Sequence, residues 1–223
     1  MLQPQTLQFL AELRNNNNKP WFDANRKVYE SAKKDFAETV ETIIRGIEVF
    51  DKSIEEGGLQ VKNCTFRINR DVRFSKNKDP YKTNFGASFN KGGKKIQSAG
   101  YYVHIAPNEC FLAGGVWMPE PNDLKKIRNE IDYNFAEFSD IIENATFKNA
   151  FPRGLDREAA TVRPPKGYDE ANPAIAFLKL KSFTASSQVS SNEILKPDFT
   201  NTVLVHFKAM QPYISFLNRA IEG

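Results

Sequence analysis

Residues 21 to 50 carry apolar side chains at helical spacing, and this repeat constrains the fold of the chain most strongly. Gly57 and Gly58 follow it as residues that end a helical stretch. The pattern predicts one long amphipathic helix over 21 to 50, about 45 Å in length at ~1.5 Å per residue. The repeating residues are Trp21, Val28, Ala32, Phe36, Val40, Ile43, Ile44 and Ile47.

Between Cys64 and Trp117 the pattern changes to that of short β-strands. The segments are rich in β-branched and aromatic residues and are separated by Gly, Pro or Asn. Connections of hairpin length predict a mostly antiparallel sheet. The predicted strands lie within residues 64–68, 71–75, 84–90, 100–107 and 110–118.

Helical patterns flank this region on both sides. A short helix is predicted before the Asn run at 15–18, and further helices within 121–145 and 172–182. The last predicted helix, 197–223, contains Pro212, which must kink or restart it. The predicted class is α+β, with a mostly antiparallel sheet packed against N-terminal and C-terminal helices in a single domain of residues 1–223.

Composition excludes several classes of protein. The sequence has no run of 18 apolar residues and no basic leader before an apolar segment, which predicts a cytoplasmic protein without a membrane partner. Cys64 and Cys110 form no CxxC pair, and the chain has two histidines, so neither a disulfide framework nor a metal site is predicted. No nucleotide-binding motif is present, and no cofactor is expected.

Positive charge is concentrated in one segment. The whole chain has a formal net charge of +4, but residues 62 to 96 contain ten basic residues and two acidic ones. A positive segment within a slightly acidic remainder is typical of a protein in which one face meets an anion.

The centre of the basic segment, residues 66–75, reads as a strand. Alternation along it would place Arg70 on the apolar face and Arg67, Asp71 and Arg73 on the other. An unpaired guanidinium in an apolar layer is costly, so Arg70 requires either a buried carboxylate or a bulge that rotates it outward. On the polar face, Arg67 and Arg73 would hold an anion while Asp71 orients one of them, or would form self-satisfied pairs in solvent.

The basic segment also carries a recognisable pattern, RxxRDxRFxx(D/N)KxxY. It resembles the hallmark of a bacterial family known as domain of unknown function 2461, and the resemblance extends to residues 17–29, 100–120 and 165–183. This resemblance implies family membership and a shared site around the hallmark, but it implies no activity. The hallmark residues are Arg67, Arg70, Asp71, Arg73, Phe74, Asn77, Lys78 and Tyr81.

Candidate site residues follow from the hallmark and from the turn beside it. Turn chemistry at 77–80 predicts that the neighbouring lysines lie on a loop carried by the sheet. The candidate ligand-binding residues are Arg67, Arg70, Arg73, Asn77, Lys78, Tyr81 and Lys82.

Two residues are candidate catalytic groups, Asp71 and His104. Alternation places His104 and Tyr102 on one face of a strand, where His104 would act as a general base or as a hydrogen-bonded structural residue. Gly114 and Gly115 interrupt the next strand, which predicts a bulge or a close approach to the backbone.

These features support two hypotheses of function. The first is a pocket protein or enzyme that binds a phosphorylated or carboxylated small molecule, clamped by the arginines and closed by Lys78 and Lys82. The second is a non-catalytic module that binds nucleic acid or an acidic partner through the same basic surface. A concave pocket favours the first, and a broad surface with exposed aromatic residues favours the second.

Overall fold

A computed structural model describes residues 2 to 223 of the chain. In chain order the elements are α1 (Pro4–Asn15), α2 (Lys19–Ala24), α3 (Arg26–Glu48), α4 (Lys52–Glu56), α5 (Val61–Cys64), β1 (Phe85–Asn90), β2 (Gly100–Ile105), β3 (Cys110–Val116), α6 (Pro121–Tyr133), α7 (Phe135–Glu143), α8 (Ala145–Ala150), α9 (Ile175–Leu178), β4 (Phe183–Val189), α10 (Ser191–Ile194) and α11 (Phe199–Glu222).

The four strands form one antiparallel sheet in the order β1-β2-β3-β4. This arrangement confirms the predicted α+β class. Antiparallel neighbours need only short connections, and the chain passes from β1 to β2 to β3 through turns. None of the helices described between residues 2 and 223 is long and apolar enough to cross a bilayer.

The chain divides into two compact units. Unit 1 contains the chain up to Lys95 together with Tyr102–Leu112 and Gln188–Leu204, and unit 2 contains Ile96–Tyr101, Ala113–Ser187 and Val205–Gly223. The prediction of a single domain over 1–223 is not tested by this division and stays a prediction.

The core of unit 1 forms between the N-terminal helices and β1. The buried residues of α3 recur every three or four positions, which gives the helix one apolar face. Phe36 on that face stacks on Phe85 of β1 with ring centroids 5.3 Å apart. In unit 2 the rings of Tyr101 and Phe207, from β2 and α11, lie 4.9 Å apart, so the C-terminal helix covers the sheet there.

Three asparagines of the run before α2 make different hydrogen bonds. The amide of Asn16 donates to the carbonyl of Glu12, and Asn18 caps α2 by accepting from the backbone N–H of Trp21 at 3.0 Å. Asn17 pairs with the main chain of Tyr81, accepting from its N–H at 3.1 Å and donating to its carbonyl at 3.0 Å. The run therefore ends one helix, starts the next and fixes a distant segment.

Three sequence predictions about elements are wrong. The helix predicted over 21–50 is interrupted at Asn25, which ends α2 and precedes α3. Segments 64–68 and 71–75 form no regular strand, because Cys64 ends α5, Thr65 pairs with Ala87 only at an isolated bridge, and the N–H groups of Arg73 and Ser75 bond locally to Asp71 and Val72. The fourth strand, Phe183–Val189, was missed, since the residues before it read as a helix of which only Ile175–Leu178 is helical.

Gly114 and Gly115 lie where other parts of unit 2 approach the strand closely. A Cβ on Gly115 would be 1.9 Å from the carbonyl oxygen of Phe183, and its φ is +117°. A Cβ on Gly114 would be 2.0 Å from the sulfur of Met210. The close approach predicted from this glycine pair is confirmed.

We expect Gly115→Ala to destabilise the protein by about 3 kcal/mol or more, because both the φ angle and the contact with Phe183 exclude a side chain. Gly154→Ala is a matched control, since Gly154 has φ +66° but no atom within 4 Å of its Cβ position. The control should lose about 1–2 kcal/mol in urea unfolding. Equal losses in the two variants would show that the contact with Phe183 contributes nothing.

Candidate functional site

Within the basic segment, residues 65–69 lie beside β1 and the residues before it as an irregular antiparallel partner. Thr65 pairs with Ala87 and Asn69 pairs with Tyr81. Residues 81–87 therefore have more residues between the two bridges than residues 65–69 have. Bends at Ile68, Arg73 and Phe74 leave residues 66–75 without a regular strand along which the side chains would alternate. The hallmark residues are therefore not divided between two faces of one strand.

The end of the segment, residues 70–79, is a loop exposed to solvent. Asp71 accepts two hydrogen bonds from the guanidinium of Arg73, at 3.0 and 2.6 Å, and the guanidinium holds the pKa of the Asp71 carboxyl below its usual value. The amine of Lys78 donates to the carbonyl of Val72 at 3.0 Å. Phe74 is 95% exposed, with the Arg73 guanidinium 5.9 Å from its ring centroid.

Arg70 is neither paired with a buried carboxylate nor rotated fully into solvent, which are the two environments that the predicted alternation required. It is half-buried, and its guanidinium contacts the hydroxyl of Ser75 at 3.4 Å, with no carboxylate partner among the described residues. Since Arg73 pairs with Asp71 and Arg70 turns toward Ser75, Asp71 orients one arginine and not three. The expected clamp of three arginines on one anion has no support in these contacts.

Tyr81 and Asn77 have structural contacts. The ring of Tyr81 is buried and stacks on Phe22 with centroids 4.0 Å apart, while Asn17 holds its main chain. The side-chain oxygen of Asn77 accepts from the N–H of Asp79, as in a turn. Their ligand-binding role stays a prediction, and we leave both out of the site proposed below.

A second arrangement of cations surrounds the ring of Phe66, and we call Phe66, Arg67, Lys82 and Lys94 the Phe66 cluster. The amines of Lys82 and Lys94 lie 5.3 and 6.0 Å from the centroid of that ring. Lys94 donates to the carbonyls of Lys62, at 2.8 Å, and Thr65. Burial and the charges of Arg67 and Lys94 lower the pKa of the Lys82 amine.

Tyr102 connects the Phe66 cluster to His104. Its ring is 6.3 Å from that of Phe66 in an edge-on arrangement, and its hydroxyl is 3.1 Å from Nδ1 of His104. The imidazole stacks on Phe111 with centroids 4.6 Å apart. Gly86 makes room for this arrangement, because a Cβ there would be 2.6 Å from the Tyr102 hydroxyl.

The protonation of this pair follows from burial. Burial raises the pKa of Tyr102 to about 12 and lowers the pKa of His104, which Glu109 opposes weakly. At neutral pH the pair is therefore a neutral phenol beside a neutral imidazole. Tyr101, Val103 and Ile105 are buried on the other face of β2, which confirms the predicted alternation.

Comparison with known proteins gives one match. Residues 5–216 match the family described as "Conserved hypothetical protein (DUF2461)". The chain belongs to this family. No curated protein and no solved structure is significantly similar to it. The bacterial origin implied by the hallmark stays a prediction.

Lys94 and Phe66 were not among the candidate site residues predicted from the sequence of this DUF2461 member. Lys94 follows two glycines with φ +82° and +80°, and the turn that they make brings its backbone N–H to the carbonyl of Asn63 at 3.0 Å. The two glycines predict such a turn from the sequence, but they do not predict which part of the chain the turn will contact. No group of three or more His, Cys, Asp or Glu side chains that could hold a metal occurs within residues 2–223.

We expect His104 to make stability depend on pH below neutrality. Its pKa in the folded chain lies below the ordinary value of 6.5, so the unfolded chain takes up the proton first as pH falls. The stability due to neutral His104 is present above 6.5 and is lost as pH falls toward the lowered pKa. Urea unfolding of the wild type and of His104→Gln should therefore differ less at about pH 5 than at about pH 7.5. Parallel pH profiles of the two proteins would contradict this expectation.

Proposed function

We propose that the Phe66 cluster binds a small anionic ligand that carries a phosphate or a carboxylate. The observation that supports this proposal is the crowding of positive charge around the half-buried Lys82. Across residues 2–223, neither Lys82 nor its neighbours Arg67 and Lys94 forms a salt bridge. In the described chain the three cations lie in one place without a salt bridge, and the carboxylate that interacts with one of them is Asp71, whose pKa the charge of Arg67 helps to lower.

Such crowding is unfavourable until an anion is present. Burial is the main reason that the pKa of Lys82 is lowered, and the charges of Arg67 and Lys94 add to it because like charges close together disfavour the charged form of each. An anion among the three cations would reverse this effect and would gain charge-assisted hydrogen bonds. Unfavourable charge arrangements concentrate at functional sites, where the ligand compensates them.

The geometry also supports a division of roles. Lys94 uses its amine on two carbonyls, which leaves one N–H for a ligand and holds the charge in place. Arg67 is exposed and offers a planar fork suited to phosphate or carboxylate. Phe66, which is 39% exposed, and the adjacent Tyr102 offer apolar surface to the rest of the ligand.

His104 is the residue that bears on chemical transformation of the ligand. In the tautomer in which Nδ1–H donates to the Tyr102 hydroxyl, Nε2 carries the lone pair that a general base needs. We keep His104 as the candidate base and do not include a reaction in the proposal. Asp71 lies in the exposed loop, where it is hydrogen-bonded to Arg73, and its interaction with the Phe66 cluster is through the charge of Arg67.

The exposed loop supports a second candidate function, nucleic-acid or acidic-partner binding. Phe74 is almost fully exposed and has cations on both sides, Arg73 before it and Lys76 and Lys78 after it. Exposed aromatic rings beside basic side chains are typical of surfaces on which bases of single strands stack. The exposed ring of Phe74 favours the second hypothesis, while the crowded cations of the Phe66 cluster favour the first.

The proposal includes a cytoplasmic location. Cys64 and Cys110 are both buried free thiols, and burial raises the pKa of Cys64 to about 12. Unpaired thiols are common in reducing compartments, where disulfides are rare.

We expect Lys82→Met to weaken binding of phenyl phosphate by about tenfold or more, equivalent to ~1.4 kcal/mol, because it removes the central charge and keeps the side-chain volume. The measurement is an NMR titration that follows the backbone amides of Phe66 and Gly86. The melting temperature should stay equal or rise, since repulsion with Arg67 and Lys94 is lost. Lys76→Met, in the exposed loop, is the control and should bind as the wild type does.

Unchanged affinity in Lys82→Met, or a lower melting temperature, would count against the Phe66 cluster as an anion site. Titration of benzoate beside phenyl phosphate separates the two ligand chemistries. Stronger binding of phenyl phosphate would identify phosphate as the preferred anion, because its two charges gain more from three cations than one charge does.

The second candidate predicts a different dependence on salt. A surface that neutralises about six phosphates should give a slope of log K against log salt near −4 for single strands, whereas a small ligand with one or two charges responds weakly. Fluorescence anisotropy of a labelled single-stranded oligonucleotide measures this slope. Phe74→Ala should reduce oligonucleotide binding by about fivefold or more if bases stack on the ring. Weak binding that is unaffected by Phe74→Ala would exclude the loop as a nucleic-acid surface.

A further inference from the structure

A cleft in unit 2 lies between helix α6 and the loop at residues 165–168. Its volume is about 620 Å³. Sites for small molecules typically measure about 300 to 1,000 Å³, so the cleft is large enough for one. The loop belongs to a segment that the resemblance singled out and that the Phe66 cluster does not use.

The lining of this cleft is positively charged. Lys125 and Arg128 lie one turn apart on α6 and so share a face, and Lys166 faces the same cleft from the loop. In the described chain, residues 2–223, none of these three cations is part of a salt bridge. The acidic residue in the lining is Asp132, and its carboxylate accepts the side-chain amide of Asn172 at 2.6 Å.

Arg128 is the residue whose environment most requires an anion. It is half-buried, one of its terminal nitrogens donates to the carbonyl of Leu180 at 2.9 Å, and its Nε is buried without a hydrogen-bond partner. Burial also lowers its pKa. A guanidinium taken partly out of water without a carboxylate is destabilising, and a bound anion would offset that cost.

The loop is held in place over α6. The hydroxyl of Tyr168 donates to the side-chain oxygen of Asn129 at 2.9 Å, and the N–H of Tyr168 donates to the carbonyl of Pro165 at 3.1 Å. Gly167 turns the chain with φ +98°. Lys166 is thus carried on a closed turn that is fixed to the helix, which reduces the ordering needed to bind a ligand.

We propose that this cleft binds the phosphate group of a small phosphorylated molecule. Two point charges and one planar guanidinium match a phosphate better than a single carboxylate, because a phosphate offers more oxygens and more charge. The ring of Tyr168 would contact the remainder of the molecule. The cleft and the Phe66 cluster share no residue, so an experiment can contradict one of the two proposals and leave the other intact.

The test is an NMR titration of the full-length protein with inorganic pyrophosphate, read at the backbone amides of Lys166, Gly167 and Tyr168. We expect saturable shifts with a dissociation constant of about 1 mM or lower. Lys125→Met and Lys166→Met should each weaken binding by about fivefold or more. Both residues are exposed, so these variants should keep the fold, which Arg128→Gln need not.

Lys148→Met is the matched control, because Lys148 is an exposed lysine of unit 2 that does not line the cleft. It should bind pyrophosphate as the wild type does. Absence of shifts at these three amides up to about 50 mM would overturn the proposal, as would equal loss of affinity in Lys148→Met and Lys166→Met.

A second arm of the experiment separates the small molecule from a lipid headgroup. Vesicles of phosphatidylcholine with phosphatidic acid present the same phosphate chemistry on a surface. Co-sedimentation that is lost in Lys166→Met would overturn the small-molecule source. No co-sedimentation, together with saturable pyrophosphate shifts, would support it.

Discussion

The two hydrogen bonds between Asn17 and the main chain of Tyr81 hold the basic segment in place. One amide side chain satisfies both the N–H and the carbonyl of Tyr81, as a neighbouring strand would. The ring of Tyr81 is fixed at the same time by its stack on Phe22. Lys82 comes next and bonds through its N–H to Ile68 at 2.7 Å, so the central cation of the Phe66 cluster is positioned by a contact outside that cluster.

Within residues 2–223 the cations of both proposed sites form no salt bridge, whereas other charged residues of the chain do. On α3, Arg45 pairs with Glu41 at 2.7 Å, and in unit 2 Arg219 contacts two glutamates at 2.6 to 2.9 Å. Exposed pairs of this kind add little stability, but they leave no excess charge. The chain has 27 acidic residues against 31 basic ones. The lack of a salt bridge at Lys82 and at Arg128 in the described chain is therefore local, and it is the basis of both proposals of an anionic ligand.

Local patterns predicted the class of fold and three strands, because period-two alternation and helical spacing depend on neighbouring residues only. The break at Asn25 and the strand Phe183–Val189 depend on tertiary contacts that such patterns do not contain. The same distinction holds for the site. The concentration of charge, the shared face of Tyr102 and His104, and the self-satisfied pair of Asp71 with Arg73 were among the possibilities that the sequence predicted, whereas the position of Lys94 results from a turn whose direction the sequence leaves open.

The lowered pKa of Lys82 would couple the proposed binding of an anion to the pH and the buffer of the solution. An anion beside the amine raises its proton affinity, so at alkaline pH the complex takes up protons that the free protein lacks. Those protons come from the buffer, and the heat measured in a calorimeter then includes the ionisation enthalpy of whichever buffer is used. The affinity of an anion for the Phe66 cluster would fall as the solution becomes more alkaline, even though the anion itself does not change charge.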